Sequence, residues 1–298
     1  RALEMNLLLT ALPFAAYAAD FAPPTIWDGS LRWSAIPLGA GVGNLVRCPV
    51  NSVTGKDAFL VDLGRTTYSN EPPWYPGELD TIRQYLFPAK ITHIFVSNSE
   101  PQSYNLLPIV FNDPKTQLKD LKEVLIGGTK GCFGSAFLSW LTQHPGNTTF
   151  VNDQKACTTC KTWTSAQGLC PTAPSSFSLE IVGANMGVSV NARSLVLQAA
   201  FSGRKILLPG GFQEPDYYDS LINAVGRSKL KSDILSLALN GRAGLANTQG
   251  WLNVVNASHY VVSGRMGQNV WDQQPDCDVL HRIESIPSSR LAAASPHV

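Results

Sequence analysis

Short apolar runs bounded by glycine-rich or polar turns fill the first third of the chain. Leu31–Ile36 and Asn44–Cys48 read as two strands on either side of a glycine-rich bend, Gly39 to Gly43. Lys56–Asp62 is a third strand, ending in Leu63-Gly64. The period then changes. From Gly77 to Phe87 the apolar positions Leu79, Ile82, Tyr85 and Leu86 have helical spacing, and Pro88 stops the helix. Ile91 to Ser97 is a nearly continuous apolar strand that feeds a polar turn. Leu121–Ile126 predicts another strand and Ser135–Gln143 a short helix.

Residues 145–177 are rich in Pro, Gly, Ser, Thr and Cys and have no clear period. A structureless loop of that length inside a compact domain is expected to be functional or tied down by cross-links. The second half restarts with a strand-turn-strand unit, Ser194–Phe201 and Lys205–Leu208. A helix at Asp216–Val225, a strand at Asp233–Leu239, a helix at Thr248–Val255 and a strand at His259–Ser263 follow. Both halves pass from antiparallel strands to strand-helix alternation. That order predicts an α/β (α+β) fold of two packed sheets with helices outside. A single domain is expected over 25–285, with 286–298 as an extended tail of low charge.

Composition narrows the setting. Of 298 residues 44% are hydrophobic, enough for a large core, and 15% are charged, against roughly 25% in ordinary domains. A net charge of +1 gives no electrostatic footprint for nucleic acid. Leu7 to Ala16, followed by Ala16-Tyr-Ala18-Ala19, is apolar but too short to span a bilayer. Residues 1–20 are read either as a secretory signal or as an apolar arm that packs on its own domain or a neighbour. The tripeptides Asn147-Thr-Thr149 and Asn256-Ala-Ser258 are acceptors for N-glycosylation. Six cysteines (Cys48, Cys132, Cys157, Cys160, Cys170, Cys277) are all disulfide candidates, with the pairing open. Together these features predict a secreted, extracellular protein.

The turn Ile94-Phe-Val-Ser-Asn98-Ser-Glu100-Pro-Gln102-Ser103-Tyr-Asn105 carries a wider likeness. It resembles the second motif of the metallo-β-lactamase fold, especially the hydrolase-like domain of bacterial competence DNA-uptake channels, which reads roughly S-H-x-D-x-D-H-Y-N-G-L. Four more frames stand in the family's order along the chain. Ala35–Arg47 resembles the G-x-G-D/N opening, Ala58-Phe-Leu-Val-Asp62-Leu-Gly64 the LIDxG strand, and 191–211 the strand pair that ends in a metal-bridging Asp. Lys231–Gly241 resembles the segment that ends in a His pair.

The resemblance implies an αββα sandwich of two mixed sheets with outer helices, and a binuclear site. In that site Asp62 would support the metals, while Asn98, Glu100, Gln102, Ser103, Gly211, Leu239 and Asn240 stand where ligands are expected. Metal-assisted hydrolysis needs His and carboxylate donors. Their loss predicts that the chain holds no metal and no cofactor, has no catalytic residue and is not an enzyme.

Other chemistry is sparse. The five histidines, His93, His144, His259, His281 and His297, show no chelating spacing, and His93 reads as a core residue. Pro72-Pro-Trp74-Tyr75-Pro76 is a proline-framed aromatic loop that could meet a sugar or a partner. The expected function is extracellular binding or structural assembly, filaments included, through self-association or another protein or glycan. A metal-dependent hydrolase with a non-standard site and a carbohydrate-binding module are the alternatives.

Overall fold

Every residue of β3 (Asp57–Arg65) is buried, and so is all of β4 (Lys90–Val96) after its first residue. Strands covered on both faces lose the alternation that marks a half-exposed strand. The computed structural model describes residues 30–36, 38, 41–49, 56–65, 78–87, 89–151, 162–164, 169–171, 177–185, 193–211, 215–244, 246–263, 275–287 and 290–294.

Among the described residues the first sheet has six strands in sequence order: β1 (Arg32–Ala35), β2 (Gly41–Arg47), β3, β4, β5 (Glu123–Ile126) and β6 (Asn147–Phe150). β1, β2 and β3 pair antiparallel, and β3 through β6 pair parallel. A parallel pair requires a crossover, which α1 (Glu78–Leu86) supplies between β3 and β4. Four short helices cover the outer face: α2 (Pro101–Tyr104), α3 (Leu107–Val110), α4 (Pro114–Gln117) and α5 (Ser135–Trp140).

The second sheet has seven strands among the described residues, in the order β13-β12-β11-β10-β9-β8-β7. In chain order these are β7 (Thr162–Thr164), β8 (Ser178–Ala184), β9 (Leu195–Phe201), β10 (Arg204–Leu208), β11 (Ile234–Ser236), β12 (His259–Ser263) and β13 (Arg290–Ala294). Its helices are α6 (Pro215–Val225), α7 (Arg227–Leu230), α8 (Gln249–Val255) and α9 (Cys277–Glu284).

Three apolar layers follow from this arrangement. Phe59, Val61, Phe95 and Leu125 of the first sheet meet Ile181, Leu197, Ile206 and Val261 of the second. Ile94, Val96 and Ile126 pack outward against Leu107, Phe137 and Trp140. Leu207, Leu235 and Tyr260 pack outward against Tyr218, Leu221 and Trp251. The expected α/β (α+β) sandwich, two mixed sheets with helices outside, is the observed architecture. Among the described residues no helix is long and apolar enough to cross a membrane.

Several expectations are corrected. The stretch 145–177 is not one irregular loop, because it contributes β6 to one sheet and β7 to the other. Both strands are short and lie at sheet edges, so neither needs an apolar face that would give a readable period. The end of the chain is not simply an extended tail. Arg290–Ala294 pairs in parallel with β12, although its alanine-rich sequence has little β-propensity; a vacant neighbouring strand decides its conformation. The bend expected at Gly39 to Gly43 ends earlier, since Gly41 already begins β2.

The cysteines also divide differently. Cys48 and Cys170 are buried and joined by a disulfide, 122 residues apart in sequence. Cys132 and Cys277 are free and exposed. One lies in the turn beside Phe133 on the outer layer of the first sheet and the other opens α9 on the outer layer of the second. A disulfide needs Cα atoms within about 7 Å, so this pair, on opposite outer layers, does not join. Cys157 and Cys160, residues 1–20 and His297 lie outside the described residues.

Replacing Cys48 and Cys170 together by alanine is expected to lower the free energy of unfolding by about 2–5 kcal/mol. Cys132→Ser and Cys277→Ser should each change it by no more than about 0.5 kcal/mol. Urea titrations of the oxidised proteins check both values.

Candidate functional site at the strand ends

The pairing of β2 with β3 slips by one residue between Gly43 and Asn44, which leaves Asp62 as the extra residue of a bulge. Asp62 takes a left-handed backbone conformation, φ 59°. A bulge re-aims a side chain out of the strand's alternation, and here it brings a carboxyl group to the chain leaving β4. Asp62 is fully buried. Its Oδ1 accepts a hydrogen bond from the backbone N–H of Ser97 at 2.6 Å, while Oδ2 is buried with no hydrogen-bond partner. Burial pushes its pKa up to about 7, against the opposing pull of its hydrogen bonds with Ser97.

The turn after β4 folds onto itself. Asn98 Oδ1 accepts from the Ser103 hydroxyl at 2.8 Å and from the Glu100 N–H at 3.1 Å. The hydroxyls of Ser97 and Ser103 lie 3.3 Å apart. Glu100 and Gln102 are half-buried at the rim, where the Gln102 amide donates to the Glu100 carboxylate. Gly64 lets this turn approach closely, because a Cβ there would come within 2.4 Å of the Gln102 carbonyl.

From the second sheet, the N–H of Leu195 donates to the Ser97 carbonyl at 2.8 Å. The Ser194 hydroxyl donates to the Pro209 carbonyl at 3.2 Å. Gly211 faces Asn98 so closely that a Cβ on it would lie 1.9 Å from Asn98 Nδ2. That nitrogen is itself buried without a hydrogen-bond partner.

Four of the positions singled out in the sequence, Asp62, Asn98, Ser103 and Gly211, therefore meet at one junction. Asn240 lies in the 3-10 turn 238–241. Asn247 fixes that turn by accepting from the Ala238 N–H and donating to the Ala238 and Arg242 carbonyls. Trp74 and Tyr75 lie outside the described residues. Sequence reasoning missed Ser97, Ser194 and Asn185. Asn185 Oδ1 accepts from the Gly128 N–H at 2.8 Å, so it ties the loop after β5 to β8. Asn185 is buried in a left-handed conformation at a strand end, which Asn tolerates while bonding nearby backbone, and neither property is visible in the sequence.

The donor set does not fit a two-metal cage. Among the described residues the junction offers one buried carboxyl group, with serine hydroxyls and an amide around it and Glu100 at its rim, where such ions take imidazole and carboxylate. The described histidines are placed elsewhere. His93 is buried in β4 beside the Thr92 hydroxyl, as expected of a core histidine. His144 meets Thr148, His259 meets Ser258, and His281 is exposed on α9. Among the described residues no three His, Cys, Asp or Glu side chains are grouped to hold a metal ion.

No protein-family model matches the chain, and no curated protein does. Solved structures do. The chain is similar to the metallo-β-lactamase fold protein YhfI from Bacillus subtilis, with 9% identity over 87% of this chain and 90% of that one, and a TM-score of 0.49. A diphosphatase from the PhnP family has 12% identity over 95% of this chain and 91% of its own, with a TM-score of 0.47. The short form of human tRNase Z has 12% identity over 76% and 86%, with a TM-score of 0.44. At these identities the likeness concerns fold alone. The narrower resemblance to competence-channel proteins is not confirmed.

The expectation that the chain is not an enzyme is corrected here. Missing ligand residues do not establish inactivity, and the junction holds a fully buried carboxyl group, Asp62, whose pKa is pushed up to about 7.

Two outcomes test the junction. Gly211→Ala should destabilise the protein by about 2 kcal/mol through overpacking, and by clearly less in an Asn98→Ala background; thermal melts of the double-mutant cycle measure the difference. Asp62 binds its proton more tightly folded than unfolded. The stability it contributes is therefore full below its unfolded pKa of about 3.9 and is lost as pH rises towards about 7. The loss is expected to reach at most about 4 kcal/mol at about 1.4 kcal/mol per pH unit. Asp62→Asn should flatten that slope in urea midpoints measured across the interval.

Proposed function

We propose that this chain is an extracellular recognition protein, and that the reactive group at its strand ends is Asp62 rather than a two-metal cage. The observation that carries the proposal is the interlock at the junction. Asn98 Nδ2 occupies the space a side chain on Gly211 would need, and Ser97 and Ser103 fill the neighbouring volume. The extracellular setting is supported by the buried Cys48–Cys170 disulfide and by solvent exposure of both sequon asparagines, Asn147 and Asn256. The aromatic loop at Trp74 and Tyr75 is the candidate contact for a protein or glycan partner.

A second reading, a hydrolase with a non-standard site, is favoured by Asp62 itself. A buried carboxyl group that titrates near neutrality in a strained backbone conformation is the kind of group that collects at active sites. With its proton it can donate to a leaving group, and without it can accept from a nucleophile.

Protein secreted by cultured eukaryotic cells, purified without chelators, separates the readings. The expected result is zinc, iron and manganese each far below one per chain, with binding on a glycan or protein array that falls at least about tenfold in Trp74→Ala. Stoichiometric metal that disappears in Asp62→Ala would overturn the proposal. Phosphoester hydrolysis abolished by Asp62→Asn, with folding intact, would establish the second reading.

A further inference from the structure

β6 is the last strand of the six-stranded sheet, so its outer backbone edge pairs with no other strand among the described residues. An open edge of this kind is a template on which another chain can add. Phe150 turns toward the outer helical layer, 6.1 Å from the Phe133 ring, and Thr148 reaches His144 on the same side. Alternation places Asn147 and Thr149 on the opposite face. Both are exposed, and the Thr149 hydroxyl donates to Glu123 at 3.0 Å. The acceptor tripeptide thus lies along the edge itself.

We propose that Asn147 carries an N-linked oligosaccharide and that this glycan shields the free edge of the first sheet. The idea rests on the extracellular reading, since the donor is a lipid-linked diphosphate oligosaccharide of the secretory route. A bond forms between Asn147 Nδ2 and the anomeric carbon of the sugar. The bond from that carbon to the diphosphate oxygen breaks, the lipid diphosphate leaves, and the transferase's base takes the amide proton. The hydrated branches then occupy the space an incoming strand would need. Asn256 is exposed as well, but it caps α8 in a left-handed conformation, with its N–H on the Leu252 carbonyl, and does not lie on an edge strand.

The full-length chain, expressed for secretion, tests this with Asn147→Gln, Thr149→Ala and Thr149→Ser, the last of which keeps an acceptor hydroxyl. Peptide mass spectrometry before and after peptide-N-glycosidase should show a glycan on Asn147 in the parent and in Thr149→Ser, and none in the other two. Light scattering should show a several-fold larger self-associated fraction for those two, and for the parent after enzymatic removal of its glycan under native conditions; Asn256→Gln should not show it. Parent protein secreted with Asn147 unmodified overturns the inference and leaves the extracellular reading standing. Parent protein that never enters the secretory route defeats both. Glycan-free protein that stays as monodisperse as the parent removes the shielding role.

Discussion

A carboxyl group with no exposed surface, held by one backbone amide, is the fixed point of this molecule. Asp62 reaches the Ser97 N–H because a bulge in β3 turns it out of the strand's alternation. The same turn hands the Ser97 carbonyl to Leu195 on the second sheet. The two sheets are thus joined at their ends by the hydrogen bonds of Leu195 to Ser97 and of Gly128 to Asn185, as well as by the apolar layer between them. Placing polar groups in that position costs free energy unless they find partners. Most do, within the turn that Asn98 organises. Asp62 Oδ2, Asn98 Nδ2 and Ser99 Oγ do not, and the carboxyl group responds by holding its proton toward neutral pH.

The dense packing explains why the junction tolerates so little change. Gly64 and Gly211 admit backbone and amide where any side chain would collide. An aspartate at Gly211, the residue the family resemblance leads one to expect there, would need Asn98 to be something else. The two positions are coupled by volume.

How much of this could be read from the sequence depends on burial. β3, β4, β9 and β10 were legible because covered strands must be apolar throughout, and α1 because Leu79, Ile82 and Leu86 keep helical spacing. β6 and β7 were not, since an edge strand such as Asn147–Phe150 has little need of apolar residues. β13 was hidden because Leu291 followed by alanines gives no strand signal until β12 offers its edge. At the junction, Asp62, Asn98, Ser103 and Gly211 were found through the order of their frames, not through any chemistry of their own. Ser97, Ser194 and Asn185 had no such frame, and only three-dimensional proximity gives them a role. Cysteine pairing was likewise a matter of distance, which spacing along a chain does not encode.

The cross-link between Cys48 and Cys170 spans most of the first sheet, and that span has a consequence during biosynthesis. Chains emerge from the ribosome vectorially, at about 5–20 residues per second, so in the extracellular setting proposed above Cys48 meets an oxidising compartment well before its proper partner exists. Cys132, which ends up as a bare surface thiol, arrives first and is a competent rival. Correct maturation then depends on thiol exchange that corrects an early wrong pair. In that setting the fold therefore calls on an isomerase.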